Sequence, residues 1–419
     1  MVSRQEVVIT GCGAVSPLGN GKEVIWQAVQ KGESGVRVIP WLTGSPDPVG
    51  IGAEVLEFDP KPYIRPRKSL KVMSREMKFG NVAAALAQED AQLDPTSLDF
   101  DRVGVTYGVD MLYFPPMQVE QVYRACMKED RFVYDEFGTS AMKELHPLWL
   151  LLCLPNMVAC HVGISCGARG PTNTITLGEI SGLLAIIEAT HAIQRGQVDV
   201  MIAGGVGNLL NPTPMVHRGR DLISLCRDNP AGASRPFDAD RDGLVRGQGS
   251  GALVLESRKH AEQRGATILA SIRGAGVAFE RMDEPCGATS KAIARSVSLA
   301  LKESQLQAGE IDGVFAHGAS TVIHDQVEAT AIQETLGETP VTAPSSYYGI
   351  AGAASAPLSI ILGLMAQKHR QLPPTLNYHT SDPQCPIQVI HGAPHSLNAS
   401  RLAILGQSTT GQAATIVIE

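Results

Sequence analysis

Side chains able to act as nucleophiles or metal ligands are numerous in this sequence, but their spacing excludes most of the familiar chemistries. The eight cysteines are Cys12, Cys126, Cys153, Cys160, Cys166, Cys226, Cys286 and Cys385. None form a CxxC pair, which argues against a zinc knuckle or a thioredoxin-type dithiol. Cys153, Cys160 and Cys166 fall in an apolar stretch and are expected to be small buried hydrophobes. Unpaired thiols in a large chain fit a reducing compartment, so a cytoplasmic setting is expected. His146, His161 and His191 are scattered without ligand spacing, and no metal site is expected. The segment Gly163 to Gly167 formally fits G-x-S-x-G, but it lacks the strand-then-helix context that would raise Ser165 as a nucleophile. One charge cluster stands out in residues 61–78: Lys61, Arg65, Arg67, Lys68, Lys71, Arg75 and Lys78. It is either a solvated face or a docking patch for an acidic partner or a phosphate-bearing ligand.

The elements that would position such groups can be read from pattern. The chain has 419 residues and is 44% hydrophobic, enough to bury a large core as two or three domains or one large α/β unit. Its net charge of −7 argues against generic nucleic-acid binding. No run approaches the roughly 18 apolar residues of a membrane span, and because the first residues enter a strand-like run, no signal peptide is expected. Glu6 to Val15 reads as a buried strand entering a glycine turn, echoed by Ile268 to Val277. Val198 to Gly205 is echoed by Ile311 to Gly318, and Gly249 to Glu256 by Gln412 to Glu419. Three ordered echoes predict an internal duplication, with halves 1–256 and 257–419. Ser181 to Arg195 reads as a buried helix, and Lys291 to Lys302 as an amphipathic one. Strands alternating with helices imply α/β layers.

Several motifs then converge. They are Val8 to Gly19, Arg169-Gly-Pro171, Asp199 to Gly205, the long block Ser234 to Gly251, and His317 to Thr321. With these the chain resembles the elongating β-ketoacyl-acyl-carrier-protein synthases. The resemblance covers nearly the whole chain, apart from an unfamiliar cap around 110–150, and implies a thiolase-like fold of five α/β/α/β/α layers built from two duplicated halves. It implies a dimer with strands pairing across the interface, either a homodimer or a heterodimer with a competent ketosynthase. It also implies no bound cofactor and no metal. The substrates would be acyl chains on a phosphopantetheine arm, supplied by acyl carrier protein or coenzyme A. In the family, basic residues near the pocket mouth receive the carrier, which assigns docking to Lys61, Arg65, Arg67, Lys68 and Lys71.

The catalytic positions depart from that family. Its condensation needs a cysteine at a helix N-terminus, where the dipole lowers the thiol pKa, and two histidines that drive decarboxylation of the malonyl thioester. Here the nucleophile position holds Glu179. The first histidine is kept as His317, whereas Ile350 takes the place of the second and Ser345 that of a lysine, beside Tyr347 and Tyr348. The gating loop reads Gln407-Ser408-Thr409-Thr410-Gly411, with Thr409 where a phenylalanine would gate. Asp325 follows the first histidine closely, and Glu328 matches a glutamate the family keeps in this loop. With the lysine gone, Glu328 is left to another partner, such as Tyr347 or Tyr348, or to solvent.

Four departures on an intact scaffold imply a repurposed pocket, and three roles remain open. One resembles the chain-length factor of type II polyketide systems, a non-condensing subunit that pairs with a competent ketosynthase. A second is altered acyl-thioester chemistry with Glu179 and His317 as acid and base. The third is a non-catalytic acyl-binding scaffold, in which Glu179 caps a helix for about 0.3–1 kcal/mol.

Overall fold

The structure, a computed structural model, describes residues 5–42, 50–113, 116–217, 222–280, 288–398 and 400–419. Ten strands build the main sheet: β1 (Val7–Ser16), β2 (Val103–Val109), β3 (Thr172–Ile175), β4 (Val200–Asn208), β5 (Gln248–Ser257), β6 (Ala270–Phe279), β7 (Gly313–Phe315), β8 (Val341–Thr342), β9 (Leu402–Gln407) and β10 (Gln412–Ile418). Their order is β8-β7-β9-β10-β6-β1-β5-β4-β2-β3, with the two-residue strand Gly19–Asn20 added beside β1. Every residue of β1, β2 and β5 is buried, as expected for strands covered on both faces.

The duplication is explicit in the pairing. In the first half β1–β5 and β5–β4 are antiparallel, and β4–β2 and β2–β3 are parallel. In the second, β6–β10 and β10–β9 are antiparallel, and β9–β7 and β7–β8 are parallel. Each strand thus has its counterpart five strands later. The halves join where Val7, Val8 and Ile9 of β1 pair with Ile272, Ser271 and Ala270 of β6. This topology corrects one sequence echo. Val198 to Gly205 forms β4, whose counterpart is β9, while Ile311 to Gly318 contains β7, whose counterpart is β2. Short apolar strands ending in glycine look alike in sequence, and only their neighbours in the sheet separate them.

Among the described residues, the six helices of ten or more residues complete the layers: α1 (Arg75–Asp90), α2 (Met157–Cys166), α3 (Ser181–Gln194), α4 (Ser290–Ser304), α5 (Val322–Leu336) and α6 (Ser355–His369). Helix α1 packs on β1, β4 and β5 with α2 against it, and α4 packs on β6 and β10 with α5 against it. Between the halves, α3 touches β2, β4 and β10, while α6 touches β1, β5 and β9. That arrangement is the five-layered α/β/α/β/α order. The two middle helices approach closely because Gly182 has no side chain. A Cβ there would sit 2.0 Å from the Ala353 carbonyl oxygen and 2.7 Å from Pro357 Cγ.

The cap region consists of short pieces: helices Glu120–Ala125 and Phe137–Glu144, a hairpin of Met127–Lys128 with Arg131–Phe132, and a 3-10 turn Trp149–Cys153. It carries exposed apolar side chains, among them Met117 (67%), Tyr134 (78%) and Met142 (89%). Cys153, Cys160 and Cys166 are only partly buried, contrary to expectation, because the 3-10 turn and α2 lie near the surface. Cys286 lies outside the described residues. The other seven cysteines are free. No described helix is long and apolar enough to cross a membrane.

Candidate active site

Glu179 sits in a single 3-10 turn, Gly178–Ile180, that runs directly into α3. The turn needs its glycine, because Gly178 has φ +68°. Ser181 braces it twice, accepting from the Leu177 N–H and donating to the Gly178 carbonyl, both at 2.7 Å. Glu179 is thereby fixed at the positive end of a 14-residue helix, 5% exposed.

His317 arrives from the other half, just beyond β7. Its backbone N–H and that of Gly318 donate to Glu328 Oε1 and Oε2 at 2.8 and 2.9 Å. Gln407 Nε2, at the end of β9, donates to Glu328 Oε2 at 3.3 Å. Glu328 therefore takes backbone amides and Gln407 as partners, and it is neither solvated nor bonded to a tyrosine. Tyr347 donates to the Pro374 carbonyl, and the Tyr348 hydroxyl meets Ser359 Oγ. Asp325 braces the same loop by accepting from the Phe237 and Ser320 N–H groups at 2.8 and 3.0 Å, beside Arg241 at 3.5 Å.

These elements converge on one small cavity lined by Glu179, His317, Ile350, Gln407, Ser408 and Thr409, with Leu244, Ala319 and His324 completing the wall. Its volume is about 20 Å³, room for a single water. Part of His317 still meets solvent. Even so, burial pushes its pKa down to about 4; the Glu179 charge opposes this and His324 adds to it. At neutral pH the imidazole is therefore uncharged. Burial likewise raises Asp325 and Glu328 to about 7, against the pull of the backbone amides they accept from.

The cavity brings together six of the expected residues and leaves the others outside its wall. Ser345 is buried, but its hydroxyl donates to the Gly318 carbonyl. Tyr347 and Tyr348 point into the core, and Thr410 Oγ1 donates to Gln412 Oε1 at 2.6 Å. Gly411 (φ +93°) turns the chain between β9 and β10. His324 was not anticipated as a cavity residue; its only sequence signal is its position seven residues after His317. Among the described residues no cysteine lines the cavity, and no three His, Cys, Asp or Glu side chains are placed to hold a metal.

Lys61, Arg65, Arg67, Lys68 and Lys71 are exposed on and before a 3-10 turn, Arg67–Val72, and none forms an ion pair among the described residues. Arg75 and Lys78 leave this cluster, being carried on α1 toward a different cavity.

Comparison with known proteins agrees with this architecture. Residues 4–261 match the N-terminal domain model of beta-ketoacyl synthases, and residues 269–379 match the C-terminal one. A 3-oxoacyl-[acyl-carrier-protein] synthase 2 from Coxiella burnetii is 31% identical over 93% of this chain and 92% of its own. One from Synechocystis is 30% identical over 94% and 93%. A crystal structure of a beta-ketoacyl synthase from Burkholderia phymatum superposes with a TM-score of 0.90 at 30% identity, covering 99% of both chains. The ishigamide ketosynthase/chain length factor superposes at 0.87 and 25% identity, again over 99% of both chains. A type II polyketide ketosynthase bound to its acyl-carrier protein superposes at 0.83 and 27% identity, over 99% of both chains. Matched in order through both of its halves, the chain belongs to the beta-ketoacyl synthase family.

Proposed function

We propose that this chain is a non-condensing ketosynthase-like subunit of fatty acid or polyketide-type synthesis, acting beside a competent ketosynthase in the manner of a chain-length factor. The observation that carries this reading is Glu179 at the helix N-terminus where condensation needs a thiolate. An acyl group on a carboxylate would be an anhydride, and the carboxylate is a far weaker nucleophile than a thiolate. Ile350 supplies no second histidine to the cavity that Glu179 and His317 line. The ishigamide ketosynthase/chain length factor among the structural neighbours supports the reading.

The remaining parts follow from the same proposal. The cytoplasm supplies acyl chains on phosphopantetheine, and the exposed basic run Lys61 to Lys71 receives the acidic carrier. Support comes from the neighbouring ketosynthase solved with its acyl-carrier protein. Strand β3 ends the sheet and its first two residues are exposed, which leaves an edge for pairing with a second ketosynthase-type subunit.

A second reading draws on Glu179, His317 and His324 around one cavity. A carboxylate beside a neutral imidazole can move a proton at a thioester-bound acyl group. Intact-protein mass spectrometry after incubation with acyl-carrier protein tests the proposal. The expected result is an unmodified chain with an intact thioester. A covalent acyl adduct would overturn the proposal, and turnover without an adduct would establish the acid–base reading.

A further inference from the structure

A second cavity of about 360 Å³ shares no lining residue with the one that holds Glu179 and His317. Its size falls in the range of small-molecule sites. Lys78, half-buried, contributes to its wall. The ammonium has no hydrogen-bond or ion-pair partner among the described residues; burial, helped by the nearby Arg75 charge and opposed by that of Glu76, lowers its pKa. Arg75 lies one helical turn away on the same face of α1. Its guanidinium is locked, donating to Gln248 Oε1 at 3.1 Å and the Val55 carbonyl at 2.6 Å, over the Phe79 ring at 5.1 Å. It too has no carboxylate partner among the described residues.

Two carboxylates also line this cavity, each accepting from a neutral donor, and the Glu76 charge acts on Lys78 without forming an ion pair. Glu76 accepts from Asn208 Nδ2 at 2.8 Å, and Glu54 from Trp41 Nε1 at 3.4 Å. Lys78 and Arg75 thus line a space whose other walls include Met73 and Leu210, each 3% exposed, and Leu152. A half-buried ammonium gains from a counter-charge that shares its desolvated setting. The nearby Glu54 and Glu76 disfavour a multiply charged anion, and the apolar wall rewards an alkyl tail. We propose that this cavity binds a monocarboxylate with an aliphatic chain. The carboxylate is held by Lys78 with Arg75 beside it, and the tail lies against Met73, Leu152 and Leu210.

Isothermal titration of the full chain with decanoate, decanol and inorganic phosphate tests this. Decanoate should bind saturably at one site, with decanol about tenfold or more weaker, as for loss of a charge-assisted contact. Phosphate should show no saturable heat. Lys78→Met should weaken decanoate by a similar factor, Lys78→Arg should keep it, and Leu210→Trp, which fills the space, should abolish it. Lys291→Met, on the exposed face of α4, should leave it unchanged. Absent decanoate binding, equal binding by Lys78→Met, or full retention in Leu210→Trp would overturn the proposal. So would phosphate binding as tightly as decanoate.

Discussion

Replacing Glu328 with alanine should loosen the loop that carries His317, with a penalty that depends on pH. The carboxylate is 1% exposed and accepts from the His317 and Gly318 backbone N–H groups and from Gln407. Alanine leaves those donors buried without an acceptor, and each well-made bond lost this way costs about 1–3 kcal/mol. The longer Gln407 bond counts for less, and deletion also relieves the cost of burying an acid. The net loss should be about 3 kcal/mol at pH 6. Burial raises Glu328 from 4.5 to about 7. A raised carboxyl pKa contributes stability that is full below the unfolded value and is lost as pH rises through the folded one. At pH 8 that contribution is gone; at pH 6, one unit below the folded pKa, it is about 1.4 kcal/mol. Asp325, also raised to about 7, titrates in both proteins and largely cancels in the comparison. Urea unfolding of the two proteins at pH 6 and pH 8 should show the larger difference at pH 6. A difference below about 0.5 kcal/mol at both, or a larger one at pH 8, would refute the reasoning.

Other perturbations probe the frame and the surface. Gly182→Ala drives a methyl into the Ala353 carbonyl and should cost about 3 kcal/mol or more, read as a drop in melting temperature or loss of folded protein. Glu256, fully buried, is pushed up by burial but held down to about 2 by Arg264, His260 and Thr10. Its contribution is present above pH 4.5 and lost as pH falls toward 2, about 3 kcal/mol; Glu256→Gln should flatten that acid limb in a pH series of melting curves. Reversing charge at Arg65, Arg67 and Lys68 should weaken carrier binding, and the wild-type affinity should fall steeply with salt. Anisotropy titrations that show neither effect would remove the docking role.

Much of this molecule was legible in its residues. The long all-buried strands and the Ser234 to Gly251 block announced the layers, and residues 179, 317, 350 and 407–409 do meet at one cavity. What failed was what depends on partners distant in sequence. The echo of β4 with β7 could not be corrected until sheet neighbours were known. Glu328 looked bereft of its lysine because the donors that replace it are two backbone amides and Gln407, 79 residues away. Tyr347 and Tyr348 fitted the site by sequence position, yet their hydroxyls point to Pro374 and Ser359. Lys78 looked like one more surface charge in a basic run; the turn of α1 carries it inward.

The central claim is that the chain does not condense by itself, and product analysis tests it most directly. Purified chain, a competent ketosynthase, and their mixture are each incubated with acyl- and malonyl-carrier protein, and the carrier-bound products are measured by mass spectrometry. The account predicts no elongated product from the chain alone, including a Glu179→Cys variant still lacking the second histidine at Ile350. It predicts products from the mixture whose length distribution differs from that of the ketosynthase alone. An elongated β-ketoacyl product made by the isolated wild-type chain would contradict it.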